Sequence, residues 1–293
     1  MEQSVSKQEL LDVLRGLGSN DERFHFFLSA CANNNLKLCQ ICLESGMDVN
    51  VSEQFHQMPI MVKLMATGRL TMKVADWFIE NGVDLNLTCA NGFSPLTYAC
   101  YRGDYQFAKY FIEKGAKIHE YKTTNKASDL YHAVTSSYHN GNVDIVRLLI
   151  EAGADLESDI KDPCNPFMAA VQQKRVDIVK LFLENSTNPN FYHYGRTPLH
   201  VAVENRDVEM ARILLKNGAN PNMKVDSSAG FIKKYLAITA MDVAIFYEDV
   251  EMKKLLSSFC AFPSSKEEKA EILMKCTRND ELSKLLSKVW AMQ

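Results

Sequence analysis

The stretch GRTPLHVAVENRDVEMARILLKNGANPN, from Gly195 to Asn222, holds a turn, two short helical patterns and a second turn. Thr197 can cap a helix, its hydroxyl accepting an otherwise orphaned backbone N–H. Pro198 then falls in the first turn, where a missing donor costs nothing. Leu199, Ala202 and Val203 supply an apolar face. A second pattern starts near Val208 and turns Met210, Ala211, Leu214 and Leu215 toward a neighbour. Gly218 ends it, because glycine accepts the left-handed cap conformation. Helices this short are not stable alone in water. The unit therefore requires others like it.

They are present. Related stretches run from His25, Met58, Asn91, Asp129, Asn165 and Thr239. The helix-ending positions Gly46, Gly82, Gly115, Gly153, Ser186 and Gly218 stand 36, 33, 38, 33 and 32 residues apart. Such a period marks a stack of similar helix pairs growing in one direction. Two pairs hold extra residues, near Met65–Thr67 and Ser136–Tyr138, which lengthen the first helix or bulge the loop. The connection after Asn222, MKVDSSAGFIKKYLAI, exceeds the others and reads as an extended finger or loop near 223–238.

These residues resemble the ankyrin-repeat family. Its pattern, a turn glycine followed by T-P-L-H-x-A and ending in G-A-x-x-N, is complete at Gly195, Thr197–Pro198–Leu199–His200, Ala202, Gly218–Ala219 and Asn222. It is strong at Gly92, Ser94–Pro95–Leu96, Ala99 and Gly115–Ala116. The resemblance implies an all-α repeat solenoid of about seven helix pairs joined by hairpin loops over 21–262. It also implies that His132 and His200, taken as one repeat position, bridge neighbouring loops through their imidazoles. Helical caps are expected at both ends. At 1–20, Ser6–Lys7–Gln8–Glu9 reads as a capping box before Leu10, Leu11, Val13, Leu14 and Leu17. At 263–293, KEEKAEILMKC and NDELSKLLSKVW read as a degenerate pair.

Composition limits the function classes. A formal net charge of −3 over 293 residues provides no field to gather nucleic acid or an anionic membrane. No apolar run reaches a membrane span, and the start MEQSVSKQELLDVL has no signal-like core. The eight cysteines are scattered and read as reduced thiols, so a cytoplasmic or nuclear location is expected. Cys39 and Cys42 form a CxxC, but they occupy the packing positions of Ala211 and Leu214. No metal, cofactor or catalytic motif stands out, and the chain reads as non-enzymatic. Gly153 and Gly218 are read as caps with positive φ.

What remains is a binding surface. The resemblance implies that a protein or peptide sits against the first helices and hairpins of a chain that is monomeric alone. Candidate contacts are Tyr98, Tyr101 and Arg102; the hairpin residues Phe191, Tyr192, His193 and Tyr194; Phe231 and Tyr235 in the long connection; and Phe246 and Tyr247. Aromatic and arginine side chains carry much of the energy of protein interfaces. Three alternatives stand beside this reading: a divergent enzyme or pathogen effector with a dispersed active site, a nucleic-acid binder, and an architectural homo-oligomer.

Overall fold

The computed structural model describes residues 6–53, 57–119, 127–136, 143–156, 164–224 and 239–261. The chain divides into two compact units, Met1–Ala154 and Asp155–Gln293. In the first, α1 (Lys7–Gly16) precedes four helix pairs. These are α2 (Asn20–Ala32) with α3 (Leu36–Glu44), α4 (Ile60–Ala66) with α5 (Met72–Glu80), α6 (Pro95–Arg102) with α7 (Tyr105–Glu113), and α8 (Asp129–Thr135) with α9 (Val143–Glu151). The second unit has three pairs: α10 (Pro166–Gln172) with α11 (Val176–Glu184), α12 (Pro198–Glu204) with α13 (Val208–Lys216), and α14 (Ala240–Phe246) with α15 (Val250–Ser258). The fold is an all-α repeat of stacked helix pairs. Isolated bridges at Ser52–Pro59 and His193–Arg196 close two of the hairpins between pairs.

Within each unit, first helices pack on first helices, α2 on α4, α4 on α6, α6 on α8, and α10 on α12, α12 on α14. Second helices do the same at α7–α9 and α13–α15. The apolar periodicity accounts for this. Leu199, Ala202, Val203, Met210, Ala211 and Leu214 are all sealed from solvent, and burying a side chain of leucine size is worth roughly 2 kcal/mol. Cys39 and Cys42 are equally buried and pack as small apolar residues. The capping box of α1 is formed: Ser6 Oγ accepts from the Glu9 amide at 3.2 Å, and Glu9 Oε2 accepts from the Ser6 amide at 2.7 Å. The α1 helix lies on α3 with Leu14 inside. Val13 is the exception to the expected face and is 59% exposed.

The second helices end as read. Gly46, Gly82, Gly115, Gly153 and Gly218 have φ between +79° and +93°, and Ser186 takes the same turn at +65°. The extra residues of the second pair bulge the loop. Helix α4 keeps seven residues, as α12 does, while its turn runs over five, Thr67–Thr71, against three at Asn205–Asp207. The matching insertion near Ser136–Tyr138 lies mostly outside the described residues. The long connection begins and ends at one place, since Lys224 and Thr239 form an antiparallel bridge. Residues 225–238 and the expected cap at 263–293 are outside the described residues.

Directional contacts set how one pair meets the next. Asp48, Asp84, Asn188 and Asn220 each accept the amide two residues on, at 2.9–3.0 Å. Those amides belong to Asn50, Asn86, Asn190 and Asn222, whose side chains reach into the following pair. Asn50 accepts the Asp84 amide at 2.8 Å, Asn86 the Lys117 amide at 2.8 Å, and Asn190 the Asn220 amide at 2.7 Å. Asn190 also donates to the Gly218 carbonyl at 2.8 Å, and Asn222 to the Cys260 carbonyl at 3.1 Å. Within each unit this ladder joins pair to pair.

One helix breaks the capping rule. The second helices α3, α5, α7, α13 and α15 are capped by the side chains of Asn35, Thr71, Asp104, Asp207 and Asp249. Arg175 holds this place before α11, gives no cap hydrogen bond, and leaves its Nε buried without a partner. Its backbone, at φ −82° and ψ 76°, matches that of Asn35 at −85° and 74°.

Three stability outcomes follow. Arg175→Asp restores a cap without moving the backbone and should raise stability by about 1 kcal/mol in a urea melt; an unchanged or lower midpoint rejects the capping account. Asn190→Ala removes two hydrogen bonds between pairs and should cost about 2 kcal/mol. A loss indistinguishable from that of an exposed outer-helix substitution such as Lys180→Ala would show that the ladder contributes nothing. At Gly153 a Cβ meets no atom within 4 Å, so the only penalty is the +89° φ. Gly153→Val should therefore cost roughly 1–2 kcal/mol, visible as a lowered melting temperature.

Candidate protein-binding surface

The first unit gathers aromatic rings where one hairpin meets two first helices. Phe93 comes from the hairpin, Tyr98 and Tyr101 from α6, and Tyr131 and His132 from α8. Phe93 lies 4.8 Å from the His132 ring and 5.5 Å from Tyr101, while Tyr98 and Tyr101 are 6.1 Å apart. Helical spacing explains the grouping. Tyr98 and Tyr101 are three residues apart and share one face of α6. Tyr101 is 40% exposed; Phe93, Tyr98, Tyr131 and His132 are half-buried, and Arg102 is exposed. Burial lowers the His132 pKa, overriding the pull of Asp129, so this imidazole stays neutral at neutral pH. Beside the rings lies a small open cleft lined by Met65, Gly68, Leu70, Tyr98, Arg102, Asp104 and Phe107. Its near wall is the bulged turn after α4.

In the second unit the hairpin reverses at Tyr194 and Gly195, both with positive φ, between the bridged residues His193 and Arg196. Tyr192 and Tyr194 are half-buried. Phe191 and His193 correct the sequence reading. Phe191 is buried, its ring 5.9 Å from Phe167, which in turn lies 5.6 Å from Phe182. It follows the ladder asparagine Asn190; the residues that follow Asn50 and Asn86, Val51 and Leu87, are half-buried. His193 is buried with its ring 4.5 Å from Tyr194. Neither offers a contact surface. Phe246 and Tyr247 are half-buried and packed edge to face at 5.1 Å, with the Arg206 guanidinium 5.0 Å above the Tyr247 ring. Phe231 and Tyr235 lie outside the described residues.

His132 and His200 are not one repeat position. Ser128 caps α8 by accepting the Tyr131 amide, whereas Thr197 caps α12 by accepting the His200 amide. Tyr131 is thus the counterpart of His200, and His132 falls one residue later. His200 is buried, and its Nδ1 lies 2.7 Å from Thr197 Oγ1, closing the cap behind Pro198. His132 joins the aromatic group.

One polar constellation has the residue types of a hydrolase. Ser94 Oγ lies 3.4 Å from His119 Nδ1, which lies 3.5 Å from Asp129 Oδ2. Both contacts fall on the same ring nitrogen, whereas a proton relay needs the base between its two partners. Ser94 is fully buried and caps α6, and Thr97 Oγ1 donates to Asp129 Oδ1 at 2.6 Å. The His119 amide donates to Asp129 Oδ2 at 2.7 Å. The group ties the third pair to the fourth. The CxxC thiols are no better placed for reaction. Burial pushes Cys42 up to about 12; Cys39 is lowered by its hydrogen bond with Cys31, Sγ to Sγ 3.4 Å, but is sealed from solvent. Among the described residues no three His, Cys, Asp or Glu side chains converge to hold a metal ion, and no helix is long and apolar enough to cross a membrane.

Comparison with known proteins agrees with this geometry. Residues 27–122 and 130–225 match the family model for ankyrin repeats in three copies. A Rickettsia felis protein described as an ankyrin repeat protein is 33% identical over 96 residues, 32% of this chain and 40% of that one. Ankyrin repeat protein R600 of Acanthamoeba polyphaga mimivirus is 26% identical over 177 residues, 57% of this chain and 50% of its own. The chain thus spans half or less of the length of these relatives. Among solved structures, the human ASB11 ankyrin repeat domain aligns with a TM-score of 0.61 at 22% identity, over 81% of this chain and 99% of that one. The ankyrin repeat domain of Bcl-3, a member of the IkappaB family, aligns with a TM-score of 0.63 at 20% identity, over 79% and 97%. Those two likenesses show the fold. The family model covers most of the sequence, and the helix pairs, caps and hairpins are those its pattern requires: the chain belongs to the ankyrin repeat family.

Proposed function

We propose that this chain is a non-enzymatic adaptor or scaffold that holds a protein or peptide segment against the first helices and hairpins of its first unit. One observation carries the reading. Phe93, Tyr98, Tyr101, Tyr131 and His132 form a ring cluster at the surface, with Tyr101 40% exposed, beside an open cleft edged by Arg102. A helix pair does not need so much aromatic area there. On α10 the register of Tyr98 holds the small, buried Ala169 and that of Tyr101 the exposed amide Gln172. Rigid aromatics give large contact area at small entropic cost, and a neighbouring arginine gives direction. Tyr192 and Tyr194 in the second unit are secondary candidates. The stable helix pairs hold the rings in place before a partner arrives, so little ordering cost falls on this side of the interface.

The test is site-specific photocrosslinking of the full chain in the cells that make it. A crosslinking residue at position 101 should capture a discrete partner, and one at the exposed outer-helix position 109 should not. The Tyr98→Ala/Tyr101→Ala double variant should weaken partner binding by about 2 kcal/mol or more, with helical circular dichroism unchanged. Equal capture from both positions, or undiminished affinity in the folded double variant, moves the interface elsewhere.

A further inference from the structure

In the second unit, the turns between the helices of successive pairs carry cations that have no acidic partner among the described residues; the Arg206 guanidinium lies on the Tyr247 ring at 5.0 Å. Lys174 and Arg175 stand between α10 and α11, and Arg206 stands between α12 and α13 at the register of Lys174. Lys174 Nζ reaches the Asn205 carbonyl at 3.4 Å, which places the two turns side by side. None of the three cations forms an ion pair among the described residues. Two nearby acids are engaged elsewhere: Glu204 holds Arg196 at 2.6 Å, and Asp207 accepts the Met210 amide at 3.0 Å.

Local backbone chemistry does not favour these residues. Lys174 and Arg206 sit at φ +57° and +52°, in the left-handed region that Gly68 and Gly103 occupy at the same register of the first unit and that Asn34 and Glu248 also take, at +56° and +55°. Arg175 displaces the capping side chain that α3, α5, α7, α13 and α15 all possess. Arg175 thus gives up a cap for a long, charged side chain that its turn does not repay. Rule-breaking without internal compensation concentrates at functional positions.

We propose that Lys174, Arg175 and Arg206 form a docking surface for an acidic protein segment lying across these two turns. Charge complementarity selects carboxylates. The next turn rules against a nucleic acid, because Glu248 holds the register of Lys174 and Arg206 there and Asp249 follows it. A uniformly charged phosphate backbone would run from cations into carboxylates, while a peptide can change sign at that point. Gln172 and Gln173, exposed at the end of α10, offer amides to an extended peptide backbone. The inference rests on the protein-binding reading and adds the chemical class of the partner.

Fluorescence anisotropy of the full chain tests it, using a short labelled peptide of alternating Glu and Asp as the probe. A Gln/Asn peptide of equal length and an oligothymidylate serve as competitors. The acidic peptide should bind, and Lys174→Glu/Arg206→Glu should weaken it by about tenfold or more. Arg175→Asp should weaken it too while melting at a higher temperature, which misfolding cannot imitate. The charge-matched Arg212→Glu/Lys216→Glu variant, on the exposed face of α13, should stay within about twofold of the parent. The proposal is overturned if the acidic peptide does not bind, if the α13 variant loses as much, or if either competitor displaces the probe as well as unlabelled acidic peptide does. A specific crosslink through position 101 together with any of those results would retain the binding-module reading and remove this surface alone; absence of both would remove both.

Discussion

A helix of seven to nine residues cannot hold itself in water, and apart from the 13-residue α2 the paired helices among the described residues are of that size. Nucleating such a helix costs more than its few internal hydrogen bonds return. Each pair is therefore stable only as far as the next one covers it. Burial supplies the attraction but has no direction, and apolar faces of Leu, Val and Ala would slide past one another. The asparagine ladder supplies the direction. Asn50, Asn86 and Asn190 each bond a single backbone amide in the following pair, at 2.7–2.8 Å. A pair rotated or shifted by one residue would lose that bond and leave the amide unsatisfied.

This division of labour leaves the rest of the surface free to vary. Residues that face the neighbouring pair are fixed by packing, and those at caps by backbone geometry. Outward positions on the first helices and in the turns answer to neither. The Tyr98–Tyr101 cluster and the Lys174–Arg175–Arg206 turns are such positions, in different units and with different chemistry. One offers neutral aromatic area, helped by a His132 that burial keeps uncharged. The other offers unpaired positive charge.

Much of this was legible in the sequence where a rule is local. The capping box at Ser6 and Glu9, the left-handed ends from Gly46 to Gly218 and the packing role of Cys39 and Cys42 depend on a few adjacent residues, and periodicity exposes them. Ser186 was recognised from spacing although it is not glycine. What escaped depends on register. Taking His132 as the counterpart of His200 slips by one residue, because the motif histidine at N3 is replaced by Tyr131, with a histidine directly after it. Phe191 reads as a surface aromatic in a hairpin until its ring is placed against Phe167 of α10, a contact between residues far apart in the sequence. The ladder escapes a local reading: Asp48 and Asp84 aim the asparagine two residues on, and that purpose appears only when the next pair is beside them.

The uncapped start of α11 shows how a repeat protein makes a functional departure visible. In a fold with one irregular core, an arginine at a helix start would pass without comment. Here five equivalent helices carry Asn, Thr or Asp at that position, and the backbone at Arg175 has the same shape as theirs. The comparison is internal, so it needs no alignment of relatives. Nothing in the surrounding structure repays the missing cap, and the arginine's own Nε–H finds no acceptor. Lys174, one residue earlier, takes a strained backbone where glycine would relax it. Two neighbouring residues that each oppose the fold in the same turn are hard to ascribe to chance packing. They are what selection for a partner's charge would leave behind.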